Sequence, residues 1–199
     1  MLGLDYYSYL RFSLCQRDGI SWIRFLQSVN LNGALCDDMG LGKTLQALVG
    51  IGLAHCQKIS NDNNKHSNEV IKSLVVCPST LCGHWFNEIT RFFSIGQFYQ
   101  VLRHDGNSKK RKSSWRLGIN TANIIVTSYS VLRQDIDILS SVMWTYCILD
   151  EGHLLKNPKT GEPLSRILFL AFVRSTLYFH FEISCLFSEF QQPRKLLNK

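Results

Sequence analysis

The stretch Leu35-Cys-Asp-Asp-Met-Gly-Leu-Gly-Lys-Thr44 constrains this chain more than any other. Gly40 and Gly42 let the backbone curl tightly, so that successive N–H groups can approach an anion. Lys43 adds a positive charge suited to the β- and γ-phosphate oxygens of a nucleotide. Thr44 supplies a hydroxyl that can ligate Mg²⁺. The stretch therefore predicts a phosphate-binding loop.

The residues on either side of this loop fit the same prediction. Gly33–Leu35 can form the end of a buried strand, and the apolar spacing of Lys43–Ile59 predicts a helix whose N-terminus faces the bound anion. The strict pattern Gly-x-x-x-x-Gly-Lys-Thr is not met, because Asp37 occupies its first position. An ordinary strand–turn–helix with an exposed lysine is the alternative interpretation.

A second motif lies 107 residues after Lys43, where the apolar run Tyr146–Leu149 ends in Asp150-Glu-Gly-His153. Ligands bind at the carboxyl ends of strands in open parallel sheets. A carboxylate at this position, Asp150, can hold the Mg²⁺ of a nucleotide, and a second, Glu151, can orient or deprotonate the attacking water. Alone, the pair could also be a capped helix start, so its weight comes from its combination with the glycine loop.

Charge and cysteine content narrow the class of protein. The formal net charge of +7 favours a polyanionic partner, although a basic surface without a partner has equal support from charge alone. Lys109–Lys112 is predicted to be a polar loop that serves as a basic patch or is simply solvated. None of the seven cysteines forms a Cys-x-x-Cys pair, which favours reduced thiols over a metal site. Ile167–Phe181 is too short and too interrupted to span a membrane.

Apolar runs and helical spacings alternate along the chain, which predicts an α/β fold in three layers, with a mainly parallel sheet flanked by helices. Predicted strands are Leu74–Cys77, Phe98–Leu102, Ile124–Thr127 and Tyr146–Leu149; predicted helices are Gln16–Val29, Lys43–Ile59, Thr80–Phe93 and Val131–Leu139.

The motifs together resemble one branch of the superfamily-2 helicase-like ATPases. Cys36–Gln46 looks like the nucleotide loop of the SWI/SNF-type branch, in which the first loop position is also aspartate. Asp150–His153 resembles the acidic box, while Val75–Leu81 and Ile125–Tyr129 resemble two intervening motifs. The resemblance covers about residues 12–160 and implies a RecA-like P-loop NTPase lobe.

The resemblance implies ATP and Mg²⁺ as cofactors and duplex DNA, contacted through its backbone, as a partner. Gln16 looks like the glutamine that reads adenine in this branch. A structural role for Ser128 and Tyr129 remains an alternative to DNA contact. The implied nucleotide contacts are Gln16, Asp38, Met39, Gly40, Leu41, Gly42, Lys43, Thr44 and Leu45; the implied catalytic residues are Lys43, Asp150 and Glu151, with Thr44 and Asp150 on Mg²⁺; and the implied DNA contacts are Pro78, Ser79, Thr80, Thr127, Ser128 and Tyr129.

Finer features resemble the TATA-binding-protein-associated ATPases within this branch, namely Cys36-Asp-Asp-Met39, Cys77–Trp85 and Tyr146–His153. That subfamily implies a nuclear protein that removes TATA-binding protein from DNA and regulates transcription. Partner contacts are expected to come from regions absent from this chain. No membrane association is expected.

We expect three segments: an irregular N-terminal stretch over 1–15, the lobe over 16–160, and a divergent tail over 161–199. The tail does not resemble a second lobe with its arginine finger, so we expect ATP binding with very slow hydrolysis. The alternative is a non-catalytic module that binds nucleotide, DNA or partners. A small phosphate-loop kinase would leave Asp150–His153 unexplained.

Overall fold

The computed structural model describes residues 12–29, 31–38, 40–61, 70–93, 99–151 and 171–173. The predicted boundary near residue 160, the acidic-box residue His153, the loop residue Met39 and most of the tail lie outside these ranges. Of the predicted tail, residues 171–173 form a short strand of the sheet.

The described strands form one sheet in the order β2–β3–β1–β4–β5. The first four strands of that order run parallel, and the short β5 pairs antiparallel with β4. The prediction of a mainly parallel sheet is therefore confirmed. The strands are β1 (Lys72–Cys77), β2 (Val101–His104), β3 (Ile124–Ser128), β4 (Trp144–Leu149) and β5 (Ala171–Val173).

The described helices cover both faces of this sheet. Helix α1 begins with a reciprocal cap, in which Ser13 Oγ accepts from the backbone N–H of Gln16 and Gln16 Oε1 accepts from the backbone N–H of Ser13. The helices are α1 (Leu14–Ser28), α2 (Lys43–Asn61), α3 (Cys82–Phe93, preceded by a 3₁₀ turn at Ser79–Leu81), α4 (Ser108–Gly118), α5 (Tyr129–Gln134) and α6 (Ile136–Ser140).

Strand β1 shows how the two faces are divided. Its alternate residues Val75 and Cys77 pack into a core with α1, α2 and α3, whereas Leu74 and Val76 pack into a second core with residues of α5 and α6. Because both faces are covered, the strand reads as a continuous apolar run. The result is the three-layer α/β architecture of a RecA-like lobe, as predicted.

Three local predictions need correction. Of the predicted strand Gly33–Leu35, only Ala34 makes an isolated β-type bridge. The predicted loop Lys109–Lys112 is helical in α4, because Asn107 caps the helix by accepting from the backbone N–H of Lys110 at 2.9 Å.

The third correction concerns the predicted single helix Val131–Leu139, which divides into α5 and α6 at Asp135. The φ and ψ angles of Asp135, −114° and 26°, are not helical, and its carboxylate is held by Arg111 and His104. A tertiary contact thus overrides a continuous helical pattern.

Among the described helices, none is both long and apolar enough to cross a membrane.

Candidate functional site

The phosphate loop has the glycine geometry that its sequence predicts. Gly40 and Gly42 have φ angles of 87° and 79°, in the left-handed region that glycine tolerates best. A Cβ at Gly40 would meet nothing within 4 Å, so this side of the loop is open. A Cβ at Gly42 would lie 2.3 Å from Gln16 Nε2, so a larger residue there would displace the Gln16 amide.

Lys43 is buried, with 6% of its surface exposed, at the first residue of α2. Its Nζ donates to the carbonyl oxygen of Asp37 at 2.7 Å and also to that of Asp38. Among the described residues, no carboxylate lies within ion-pair distance of this ammonium group. The charge is therefore balanced by carbonyl dipoles of its own loop, and a phosphate could replace those partners.

Gln16, predicted to read adenine, contacts this loop directly. Its Nε2 donates to the carbonyl oxygen of Leu41 at 3.2 Å, while its Oε1 completes the cap of α1. The two other loop residues at the helix start, Thr44 and Leu45, are partly buried, and Leu45 packs against the core. Gln16 therefore links α1 to the phosphate loop, and its role toward adenine stays a prediction.

The acidic motif follows the end of β4, at the same edge of the sheet as the ends of β1 and β3. The backbone N–H of Asp150 continues the ladder to the carbonyl of Val76 at 2.8 Å. Its Oδ2 accepts from Trp85 Nε1 at 2.7 Å, and its carbonyl accepts from the Tyr129 hydroxyl at 2.7 Å. Side chains from α3 and α5 thus fix both ends of Asp150.

Trp85 is a residue of this site that the sequence analysis did not place there. The helical spacing of Leu81, Trp85 and Ile89 is typical of a core position, and Trp85 is indeed 2% exposed. A tryptophan ring is apolar except for its N–H, which needs a partner when buried. Only the fold reveals that this partner is the Asp150 carboxylate, 65 residues away in sequence.

Burial raises the pKa of the Asp150 carboxyl above its usual value, because the charged form is poorly solvated. The hydrogen bond from Trp85 and the nearby charge of Lys43 oppose this rise and keep the pKa from going higher. The Lys43 ammonium is thus close enough to influence Asp150. This electrostatic influence links the acidic motif to the phosphate loop.

Glu151 has a φ angle of 56°, which places a non-glycine residue in the left-handed region. Such a conformation costs about 1–3 kcal/mol and persists only when its surroundings enforce it. Here the chain turns immediately after a buried strand. The acidic motif therefore lies in a strained turn directly after the end of β4.

The two predicted DNA-facing segments differ in what they expose. After β1, Ser79 and Thr80 are exposed and Pro78 is partly exposed. The side chains of 127–129 are buried and bonded internally: Thr127 Oγ1 donates to the carbonyl of His104, Ser128 Oγ accepts from the backbone N–H of Val131, and Tyr129 binds the Asp150 carbonyl. The side-chain contacts of Ser128 and Tyr129 therefore fit the alternative of a structural role.

The residues present fit a nucleotide with Mg²⁺. Two glycines have left-handed backbone angles, the loop is open at Gly40, a 19-residue helix begins at Lys43, and the charge of Lys43 influences the buried Asp150 carboxyl. Lys43 and Thr44 would contact phosphate and metal, and Asp150 would contact the metal. Binding requires Lys43 to exchange its carbonyl partners for phosphate oxygens.

Comparison with known proteins gives a consistent result. Residues 15–165 match the model of the SNF2-related domain. TATA-binding protein-associated factor BTAF1 of Arabidopsis thaliana is 43% identical over 145 residues, which cover 73% of this chain and 7% of that protein. TATA-binding protein-associated factor 172 of Homo sapiens is 42% identical over 147 residues, 73% of this chain and 8% of that protein. The chain thus spans less than a tenth of these curated relatives.

Proposed function

The chain belongs to the SNF2-related family, and on that premise we propose that residues 16–160 are an ATP-binding and DNA-binding lobe. The observation that carries this proposal is that Lys43 and Asp150 are both buried, the ammonium group held by backbone carbonyls of its own loop and the carboxylate by Trp85. A cation for phosphate and an anion for Mg²⁺ are the two charges that a nucleotide–metal complex needs.

Each residue of the site has a distinct role in this proposal. Lys43 and the N–H groups of the loop hold the phosphates, while Thr44 and Asp150 ligate Mg²⁺. Glu151 positions the attacking water, and Gln16 contacts adenine. Bound Mg²⁺ would neutralise charge on the β- and γ-phosphates. Met39 is included among the proposed nucleotide contacts because of its position in the motif Cys36–Gln46.

DNA is the second proposed ligand, with Pro78–Thr80 as the contacting turn. Ser79 and Thr80 are exposed at the carboxyl edge of the sheet, where their hydroxyl groups can donate to phosphate oxygens. Contacts to the backbone position a protein on DNA without reading its sequence. Cys77, which directly precedes this turn, connects it to the neighbouring segment, since its Sγ donates to the Thr127 carbonyl at 3.7 Å.

The names of the relatives support a proposal for the biological setting. Their names describe TATA-binding protein-associated factors. We propose that the chain comes from a nuclear ATPase of this type, which acts on TATA-binding protein and regulates transcription. TATA-binding protein itself would be contacted by other regions of such a protein.

The nucleotide site is tested by Lys43→Ala. We expect ATP affinity in the presence of Mg²⁺, measured by calorimetry on the purified chain, to fall about 50-fold, because charge-assisted bonds to phosphate are lost. The matched control is Lys112→Ala, which removes an exposed lysine and should leave the affinity unchanged. Equal affinities of wild type and Lys43→Ala would refute the site.

The DNA surface is tested by Ser79→Glu, which places a negative charge on the exposed turn. We expect its affinity for duplex DNA to fall about fivefold at low salt and less at high salt, since the added repulsion is screened. Ser141→Glu is the matched control, because Ser141 is exposed before β4, at the opposite edge of the sheet. Equal losses in both variants would mean that DNA binds by net charge alone.

A further inference from the structure

Asp37 presents an electrostatic problem in the phosphate loop. It occupies the position at which the strict loop pattern has glycine, so a carboxylate stands where phosphates are expected to bind. A negative group a few ångströms from a triphosphate would repel it strongly in a partly dry site. A loop with this residue therefore needs something that restrains the direction of the carboxylate.

Gln46 lies in the first turn of α2 and is completely buried. Its Nε2 donates to Asp37 Oδ2 at 3.2 Å. The other atom of the same amide, Oε1, has no hydrogen-bond partner among the described residues. A buried amide oxygen without a hydrogen bond destabilises the fold. Loss of the bond to Asp37 would leave the Gln46 amide nitrogen without a partner as well, so this bond stabilises the arrangement.

Gly19 of α1 makes room for this amide. A Cβ at Gly19 would lie 1.9 Å from Gln46 Oε1, closer than any side chain allows. The amide is thus enclosed between α1 and the phosphate loop, and its direction is fixed by both. Its burial contrasts with the open side of the loop at Gly40.

We propose that Gln46 is a positioning residue of the phosphate loop, whose amide holds the Asp37 carboxylate toward the interior and away from the space for nucleotide phosphates. The inference rests on the proposed nucleotide site. With the carboxylate held, the carbonyl of Asp37 remains available to Lys43, so the same residue serves the loop through its backbone and is restrained through its side chain.

The test uses Gln46→Met, which keeps the length of the side chain and removes the amide. We expect ATP affinity to fall about tenfold, because the released carboxylate repels the phosphates. Adenosine, which has no phosphate, should bind wild type and variant equally. Adding Asp37→Asn to Gln46→Met should restore ATP affinity to within about twofold of wild type, because the released group is then neutral.

Rescue by Asp37→Asn separates positioning from packing. If Gln46 merely fills the core, neutralising Asp37 would restore nothing and adenosine would weaken together with ATP; either result would overturn the inference. Failure of the proposed function has a different signature, since a wild-type chain that binds no ATP would refute the nucleotide site itself.

Thermal unfolding without nucleotide then decides the inference independently. The four proteins of the Gln46→Met and Asp37→Asn cycle should show a coupling of about 2 °C or more in Tm if the two side chains interact. Additive changes in Tm would overturn the inference, whether or not ATP binds.

Discussion

Lys43 in the phosphate loop and Arg111 in α4 are both buried cations, yet their partners are of different kinds. Arg111 is 4% exposed and forms a two-bond contact with the Asp135 carboxylate, at 2.7 Å and 3.2 Å. It also donates to the Gly106 carbonyl at 2.6 Å and to Gln134 at 3.0 Å. Lys43 contacts only backbone carbonyls among its described hydrogen-bond partners.

The Arg111 cluster is completed by His104, whose Nε2 lies 2.9 Å from Asp135 Oδ2. The guanidinium group and the imidazole hold the pKa of Asp135 below its usual value, with Arg111 the larger cause. Burial lowers the pKa of His104 and outweighs the opposing effect of Asp135. The cluster joins β2, α4 and the break between α5 and α6 at Asp135.

The partners of these two cations indicate whether a buried charge stabilises the fold or is suited to bind a ligand. A cation with a fixed counter-ion has little to gain from a new anion, because the existing partner would be left unpaired. A cation held by carbonyl dipoles can exchange them for a phosphate and gain a full charge interaction. Arg111 is therefore assigned to the stability of the fold, and the contrast supports the proposal that Lys43 binds phosphate.

Arg111→Met should separate the two roles most strongly. Removing the cation leaves Asp135 without its main partner, and we expect the free energy of unfolding to fall by about 3–5 kcal/mol. Denaturant unfolding at neutral pH measures this change. Lys112→Ala, the adjacent exposed residue, should change stability by no more than about 0.5 kcal/mol.

The distinction between the two cations would be wrong if the ATP affinity of folded Arg111→Met fell as much as that of Lys43→Ala. That result would mean that the far edge of the sheet controls the phosphate loop. Comparable stability of Arg111→Met and wild type would instead show that the cluster is dispensable.

Trp85→Phe should give the next largest effect. Loss of the donor removes the largest of the interactions that lower the pKa of Asp150, so protons compete better with Mg²⁺. We expect affinity for ATP with Mg²⁺ to fall about tenfold at pH 7, and further at pH 6, with no change when Mg²⁺ is chelated. Calorimetry with and without metal makes this measurement.

Trp144→Phe is the matched control for that variant, since the buried Trp144 also loses a 2.7 Å bond, here to the Leu139 carbonyl. It should leave the dependence of nucleotide affinity on Mg²⁺ unchanged. An equal loss in the two variants would mean that Trp85 acts through general packing.

The smallest predicted effect is a loss of stability in mild acid. Burial, with a smaller contribution from Lys58, lowers the pKa of His55 from 6.5 to about 3. Between pH 6.5 and about pH 3, the imidazole of the unfolded chain takes up a proton while that of the folded chain does not. The part of the free energy of unfolding that is present above pH 6.5 is therefore lost as the pH falls.

Between pH 7.5 and pH 5.5 we expect Tm to fall by about 2–4 °C. His55→Gln can still bond to Ser73 Oγ, which lies 2.7 Å from the histidine Nε2, and cannot titrate. This variant should therefore lose less stability over the same range. An identical pH dependence would assign the effect to other groups.

Much of the fold could be predicted because the local signals agree with the tertiary structure. The apolar runs around Leu74–Cys77, Ile124–Thr127 and Tyr146–Leu149 became strands β1, β3 and β4, since each is covered on both faces. Lys109–Lys112 was wrongly predicted to be a loop, although the Asn107 cap of its helix is local; only the contact of Arg111 with the distant Asp135 carboxylate needs the fold to be seen. In a charged tetrapeptide, sequence alone does not distinguish the buried arginine from its exposed neighbours.

The residues of the candidate site also differ in how far the sequence predicts them. Gly40, Gly42, Lys43 and Asp150 carry chemistry in their own residue types and spacing. Trp85 and Gln46 have ordinary helical positions, and their importance comes from the groups that they meet across the fold. Tyr129 lies between these cases, since its motif position is informative but its hydroxyl binds a backbone carbonyl within the protein.

The strand order also has a consequence for how the chain folds as it is made. Strand β1 lies between β3 and β4, which both come later in sequence, so the centre of the sheet is synthesised before either of its neighbours. About 50 residues separate the end of β1 from the end of β3, which ribosomes need roughly 3–10 s to add. During that interval an apolar strand has both edges unpaired, so we expect this segment to be the part of the nascent chain most prone to aggregation.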